Sequence, residues 1–354
     1  MKTLISDKNG MLSIGEAAKP VIGEYQALIK MIACGMCNGT DTKLIHGGFK
    51  GYSYKNEADY PMMLGHEGVG QVVEVGAKVS GYKVGDIVLL PFVDPVDGLN
   101  SAWGGYSEYG VVFDAKALTE AGYAVGSEQF PECAFAQSVV PSDIDPVDAV
   151  LIITFREVLS SIKTFGIDAN QSVVIFGCGP VGMTFIRMMS LLGVNPIIAF
   201  DIDDSKLKAA IANGADYAYN SNIVDVNKCV RDICPDGVDK VVDAVGVLEI
   251  INQGFGLIKD RGSICCYGIS YKSNMELDWT DAPYNWNICF QQMPSKVEEG
   301  EAYAQVLSWL RNGAISLKDY ISDYAEFKDI IEAFNRLEKG EIKLKCIITY
   351  NKLH

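Results

Sequence analysis

The chain has 354 residues, 49% hydrophobic and 21% charged, with a formal net charge of −15. That length suits two domains, the acidic balance argues against nucleic acid or an anionic membrane as partner, and no stretch approaches the roughly 18 apolar residues of a membrane span. The opening MKTLISDKNGML lacks the apolar core of a signal peptide, so a cytoplasmic protein is expected. Ten cysteines without framework spacing fit a reducing compartment. Cys178, Cys229, Cys265, Cys266 and Cys346 sit in apolar strand or helix contexts, where a thiol behaves as a small hydrophobe.

Up to residue 153 the chain is glycine-punctuated and strand-rich. The runs YQALIKMIAC, GVGQVVEVGAKV, KVGDIVLLPF and GGYSEYGVV alternate short β segments with turn signals, which predicts a partly open β-barrel. Within it, Cys37 follows an apolar strand in ACGMCNGTD, and His66 with Glu67 stands in MLGHEGVGQVVEVG. Thiolate and imidazole are the best protein ligands for Zn2+, and a catalytic zinc takes three protein ligands and keeps one position open. The chain has only three histidines, His46, His66 and His354, which singles out the glycine-framed His66. Cys37 alone reads more readily as a buried structural thiol. Cys34 and Cys37 also spell CxxC, but no second such pair follows to close a structural zinc site.

Residues 154–292 alternate strand and helix, as in a doubly wound parallel sheet. The segment SVVIFGCGPVGMTFIRMMSLLGVNPIIAFD, residues 172–201, reads as strand, glycine turn, helix, strand and terminal carboxylate. The run VVIF lacks alternation, as a strand covered on both faces should. Gly177, Gly179 and Gly182 stand at GxGxxG spacing: the first for the tight turn, the second for approach of a pyrophosphate, the third for close helix packing. Pro180 and Val181 open the helix whose first amides face the phosphates. Asp201, 19 residues past Gly182, is placed to accept the two hydroxyls of an adenosine ribose. A 2′-phosphate would meet that carboxylate with Asp203 and Asp204 beside it, so NAD rather than NADP is expected. The plain alternative is a glycine-rich turn with no ligand.

Beyond this, residues 205–213 read as a helix, VDKVVDAVG and RGSICCYGIS as strands, and INQGFGLIK as a helix between them. Residues 293–354 hold two helical patterns, AYAQVLSWLRNG and EFKDIIEAFNRLEKG, and a strand KLKCIITY that returns to the first domain.

The ordered set CGMCNGTD, LGHEGVGQVVEVG, KVGDIV, GGYSEY and GCGPVG resembles the zinc-dependent medium-chain alcohol, polyol and sugar dehydrogenases, over essentially the whole chain. The resemblance implies a GroES-like catalytic domain made from both chain ends, with a Rossmann domain inserted between them. It also implies a catalytic zinc held by Cys37 and His66, with Glu67 as an exchangeable ligand. Thr40 matches the hydroxyl residue that takes the substrate proton, and Lys206 a position that touches the adenosine ribose. Dimers or tetramers are the family's assemblies.

Four departures stand out. Asn38 and Gly39 put an extra residue between Cys37 and the Thr40–Asp41 pair, which can displace Thr40. The place of the usual relay histidine falls near Lys43, so Lys43 or His46 is the substitute. The lobe that carries four cysteines for a structural zinc in many members is LLPFVDPVDGLNSAWGGYSEY, without one, so a single zinc is expected. The place of the third ligand falls on Ile153, which cannot bind metal. Glu157, one turn later, can substitute if the helix there starts late, or Glu67 can complete the site; otherwise Glu157 is a solvated carboxylate paired with Arg156 or Lys163.

The expected activity is hydride transfer between NAD(H) and a polyol, sugar or other secondary alcohol, with zinc as Lewis acid and Asp41 and Glu67 as supporting groups. Two alternatives are a zinc-free enone or quinone reductase of the same fold and a catalytically silent relative. FKGYSYKNEADYP, Trp103 and NWNICFQQMPSK are expected to wall the substrate.

Overall fold

The computed structural model describes residues 1–46, 60–272 and 274–350. The chain forms two compact units: Met1–Arg156 with Ser295–Arg311 and Ser316–His354, and Glu157–Pro294 with Asn312–Ile315. The FKGYSYKNEADYP segment, apart from Tyr60 and Pro61, lies outside the described residues.

The first unit begins with β1 (Lys2–Ser6), β2 (Leu12–Glu16), β3 (Gln26–Gly35), α1 (Thr40–Ile45), β4 (Met62–Met63), β5 (Gly68–Val75), β6 (Ile87–Leu89), β7 (Asn100–Ser101) and β8 (Tyr109–Phe113). Short helices α2 (Ala115–Glu120) and α3 (Cys133–Ala136) follow, and α4 (Val150–Thr164) begins in this unit and runs on into the second from Glu157. β3 organises this unit. One face buries Ala27, Ile29, Met31 and Ala33 and the other buries Leu28 and Cys34, and it pairs antiparallel with β5 along most of its length and with β8 over its first half.

The second unit holds β9 (Val173–Phe176), α5 (Pro180–Leu191), β10 (Ile197–Asp201), α6 (Asp204–Ala212), β11 (Tyr217–Asn220), α7 (Val226–Ile233), β12 (Val238–Asp243), α8 (Glu249–Phe255), β13 (Ile258–Cys266) and β14 (Trp286–Phe290). All pairings are parallel, in the order β11-β10-β9-β12-β13-β14. The first strand is central and the chain winds outward to both sides, so the crevice at the switch point opens between the carboxyl ends of β9 and β12. Every residue of β9 and β10 is buried, as uninterrupted apolar strands under two helical layers require.

The chain returns through α9 (Lys296–Arg311), β15 (Ile321–Glu326), α10 (Ile330–Glu338) and β16 (Lys345–Thr349). β16 pairs antiparallel with the end of β3, Ile347 opposite Gly35 and Ile348 opposite Cys34. The last strand is therefore stitched beside the segment that carries Cys37.

Two local readings need correction, and Trp286–Phe290, named for the substrate wall, also forms the edge strand of the parallel sheet; Asn287 masks its strand pattern. INQGFGLIK is helical only to Phe255, and Ile258 and Lys259 already belong to β13. EFKDIIEAFNRLEKG starts as a strand end and a short 3-10 turn, and α10 begins at Ile330. No helix of the described residues is long and apolar enough to cross a membrane.

Candidate catalytic and cofactor sites

Cys37 leaves the end of β3, and His66 and Glu67 precede β5, its neighbour. The Gly35 N–H donates to the Glu67 carbonyl at 3.1 Å, which locks the two ligand-bearing segments together. A Cβ on Gly35 would overlap the Glu67 carboxylate, so glycine there gives that side chain its room. The donor atoms of Cys37, His66 and Glu67 lie within 4.8 Å of one another. This S, N, O set is the chemistry of a zinc centre.

Asp41, at the start of α1 and wholly buried, orients two of these donors. Its Oδ2 accepts the Cys37 N–H at 3.0 Å, and its Oδ1 faces His66 Nδ1 at 3.1 Å, ion-pair distance without the alignment of a linear hydrogen bond. Nε2, 4.0 Å from Glu67 Oε1, is thereby left on the side of the other donors. Burial lowers the His66 pKa, but the Asp41 charge and the Cys37 sulfur outweigh it and hold the imidazole well above its usual range. The three donors fit a divalent metal, with Asp41 in the orienting place that metal-binding histidines use.

Glu67 carries a second partner that the sequence did not suggest. Both of its oxygens lie 2.7 Å from Lys345 Nζ, the lysine 4% and the glutamate 2% exposed. The return of β16 along β3 creates this pair across a separation of 278 residues.

Thr40 remains beside Cys37 despite the extra residue: its N–H donates to Sγ at 3.4 Å. Lys43 is buried, whereas His46 is exposed with Nε2 2.8 Å from Glu338. Trp103 holds a positive φ of 67°, costly for a bulky residue, and its ring lies 5.6 Å from the His66 ring. Ile153 is fully buried. Helix α4 already runs at Val150, so the late start on which the Glu157 substitution depended does not occur: Ile153 and Glu157 follow one another a turn apart in one continuous helix. Glu157 lies in the second unit, where its carbonyl accepts from Ser160 and Ser161, and it is not among the three gathered donors.

In the second unit the three fingerprint glycines have separate physical reasons. Gly177 holds φ +97° and its Cβ would meet Val245 at 2.6 Å, at the switch point. A Cβ on Gly179 would meet nothing within 4 Å, which leaves the backbone open to a phosphate. One on Gly182 would overlap the Gly177 carbonyl, because α5 packs directly on the turn. Pro180 occupies the first turn of α5, where a missing N–H costs nothing, with Val181 beside it. Asp201, 8% exposed, accepts the Cys178 N–H at 2.7 Å and the Asp203 N–H at 2.9 Å, and Lys206 Nζ lies 3.4 Å from both oxygens. Asp243, unremarked in the sequence although it ends β12, accepts the Val245 and Gly246 N–H groups at 2.8 and 2.9 Å and shapes the loop opposite Gly177.

A barrel-type unit with a Cys, His, Glu donor set and a doubly wound unit with a dinucleotide fingerprint define a class of metal- and nicotinamide-using oxidoreductases. Residues 23–122 match the alcohol dehydrogenase GroES-like domain and residues 180–310 the zinc-binding dehydrogenase domain. An alcohol dehydrogenase of Geobacillus stearothermophilus is 27% identical over 98% of this chain and 97% of its own. A sorbitol dehydrogenase of Halalkalibacterium halodurans is 23% identical over 99% of both chains. The crystal structure of 2R,3R-butanediol dehydrogenase from Bacillus subtilis superposes with a TM-score of 0.79 at 22% identity, covering 99% of each chain. The chain belongs to the zinc-type medium-chain alcohol and polyol dehydrogenase family.

Proposed function

We propose that this chain is a zinc- and NAD-dependent dehydrogenase of a polyol, sugar or other secondary alcohol, with one catalytic zinc, held by Cys37, His66 and Glu67. The observation that carries it is the convergence of those donors around a buried Asp41. Bound zinc supplies Lewis acidity toward the substrate oxygen, and bound NAD supplies the hydride acceptor. The protein's own residues do the rest. Asp41 holds the imidazole and the Cys37 backbone, and Thr40 relays the proton of the substrate hydroxyl, accepting it as its own hydroxyl proton passes outward to solvent. Trp103 walls the substrate beside His66. Gly177, Gly179, Pro180, Val181 and Gly182 seat the pyrophosphate, and Asp201 with Lys206 binds the adenosine ribose.

NAD is favoured over NADP because the Asp201 carboxylate is fixed by two backbone N–H groups and cannot swing away from a 2′-phosphate. A homodimer or homotetramer is proposed, and β14, an edge strand with Phe290 57% exposed, is a face on which to test it by cross-linking. One observation favours a second reading, a catalytically silent relative: Ile153 is buried and cannot supply a ligand. NAD reduction screened against polyols, sugars, sugar phosphates and simple alcohols, with metal analysis of the same protein, decides between them. Zinc with turnover supports the first reading, and neither supports the second.

A further inference from the structure

Asp41 is wholly buried, and a buried carboxylate is tolerable only when its oxygens are well satisfied. Besides the Cys37 N–H and the His66 ring, it has a third neighbour from a distant part of the sequence. The hydroxyl of Tyr106, in the GGYSEY segment, lies 2.7 Å from Asp41 Oδ2. The same hydroxyl is 2.8 Å from the Gly35 carbonyl. Both neighbours are acceptors and the phenol has one proton, so the charged oxygen attracts it more strongly. Burial and the Asp41 charge raise the phenol pKa well above its usual value, which keeps the hydroxyl a donor.

The tyrosine is fixed from every side. It is 0% exposed. Its N–H donates to the Leu64 carbonyl at 2.9 Å and its carbonyl accepts from Leu4 at 2.9 Å. Its ring meets Phe334 edge-on at 5.8 Å. Gly65, at φ +102°, is pressed so closely on it that a Cβ there would sit 2.8 Å from the ring, one residue before His66.

From this geometry we infer that Tyr106 is a positioning residue of the metal centre: its hydroxyl fixes the plane of the Asp41 carboxylate, so that Oδ1 meets His66 while Oδ2 holds the Cys37 backbone. One phenol thus sets the relative placement of a nitrogen and a sulfur donor, neither of which it touches. The inference rests on the metal site proposed above. Replacing the hydroxyl by hydrogen lets the carboxylate turn about its Cα–Cβ and Cβ–Cγ bonds, with both donors following it.

The test uses Tyr106→Phe in the full chain, which keeps the ring packing on Gly65 and Phe334. Tyr82→Phe is the control: that half-buried phenol donates to the Gln137 carbonyl at 2.6 Å and does not touch the Asp41 cluster. Zinc affinity is measured by competition with a chelator, and Co2+ is loaded in place of zinc to read the ligand field by visible absorption. The expected result is about tenfold weaker zinc binding and altered Co2+ d–d bands in Tyr106→Phe, with both unchanged in Tyr82→Phe. If wild type and Tyr106→Phe bind zinc equally and give the same Co2+ spectrum, the positioning role is overturned while the metal site stands. If the two variants lose affinity alike, the effect is general loosening and the role is also overturned. If wild type binds neither metal, the site itself fails and takes this inference with it.

Discussion

The nucleotide fingerprint and the proposed metal site are built by opposite routes. The nucleotide fingerprint is assembled from one continuous stretch: turn, helix start and Asp201 all follow within a single βαβ segment, and each glycine answers a local steric demand. The metal site is assembled from residues around 35–41, 65–67, 105–106 and 345, held by hydrogen bonds between segments far apart in sequence. A local site is secured by backbone geometry. A distributed site depends on buried charges whose partners must arrive together.

The largest effects are expected at the distributed site. Cys37→Ala or His66→Ala should cut kcat/KM for the alcohol by at least about a thousandfold, since Lewis-acid stabilisation worth several kcal/mol is lost. Circular dichroism and the melting curve should show the fold intact. Activity close to wild type in either variant would break the comparison at its root.

Next is the buried pair of Lys345 and Glu67. Lys345→Met removes the ammonium that lies 2.7 Å from both Glu67 oxygens, and breaking such a buried pair costs about 3–5 kcal/mol in urea unfolding of the metal-free protein. Bound zinc then offsets part of that charge, so the loss should be smaller in the zinc-loaded protein and zinc should bind Lys345→Met more tightly than wild type. Equal losses with and without zinc would show that Glu67 does not face the metal.

The two routes are separated most sharply within the fingerprint. Gly182→Ala forces a Cβ onto the Gly177 carbonyl and should cost about 1–3 kcal/mol of stability, as overpacking does. Gly179→Ala enters open space; its melting temperature should stay at the wild-type value while NAD binding, followed by fluorescence, weakens. Matching stability losses in the two variants would refute these separate roles.

The smallest effect is expected from Asp201→Ala. Removing a charged acceptor of the ribose hydroxyls should lower kcat/KM with NAD about 10- to 100-fold, while loss of the repulsion toward the 2′-phosphate raises it with NADP, so the NAD preference narrows. A wild-type enzyme that prefers NADP would contradict the assignment outright.

The same contrast explains what was legible in the sequence. The fold class and the dinucleotide segment are written in local patterns: apolar runs of period two or none, glycine spacing, and an acid at a strand end. Cys37, His66 and Glu67 stand out by residue type and glycine framing. Their surroundings do not. Lys345 lies in a strand legible as KLKCIITY, but its place beside Glu67 depends on the register of β16 against β3, where a one-residue slip would turn it to the other face. Tyr106 is one aromatic among many until the turn at Gly65 closes on its ring. β14 was hidden because Asn287 interrupts the apolar run expected of a parallel strand.

X-ray absorption at the zinc edge of the purified chain tests the central claim most directly. The account predicts one zinc per chain with a single sulfur neighbour at about 2.3 Å and the remaining neighbours nitrogen or oxygen at about 2.0–2.2 Å, and loss of the sulfur shell in any zinc retained by Cys37→Ala. Two or more sulfur neighbours, or a sulfur shell that survives Cys37→Ala, would contradict it.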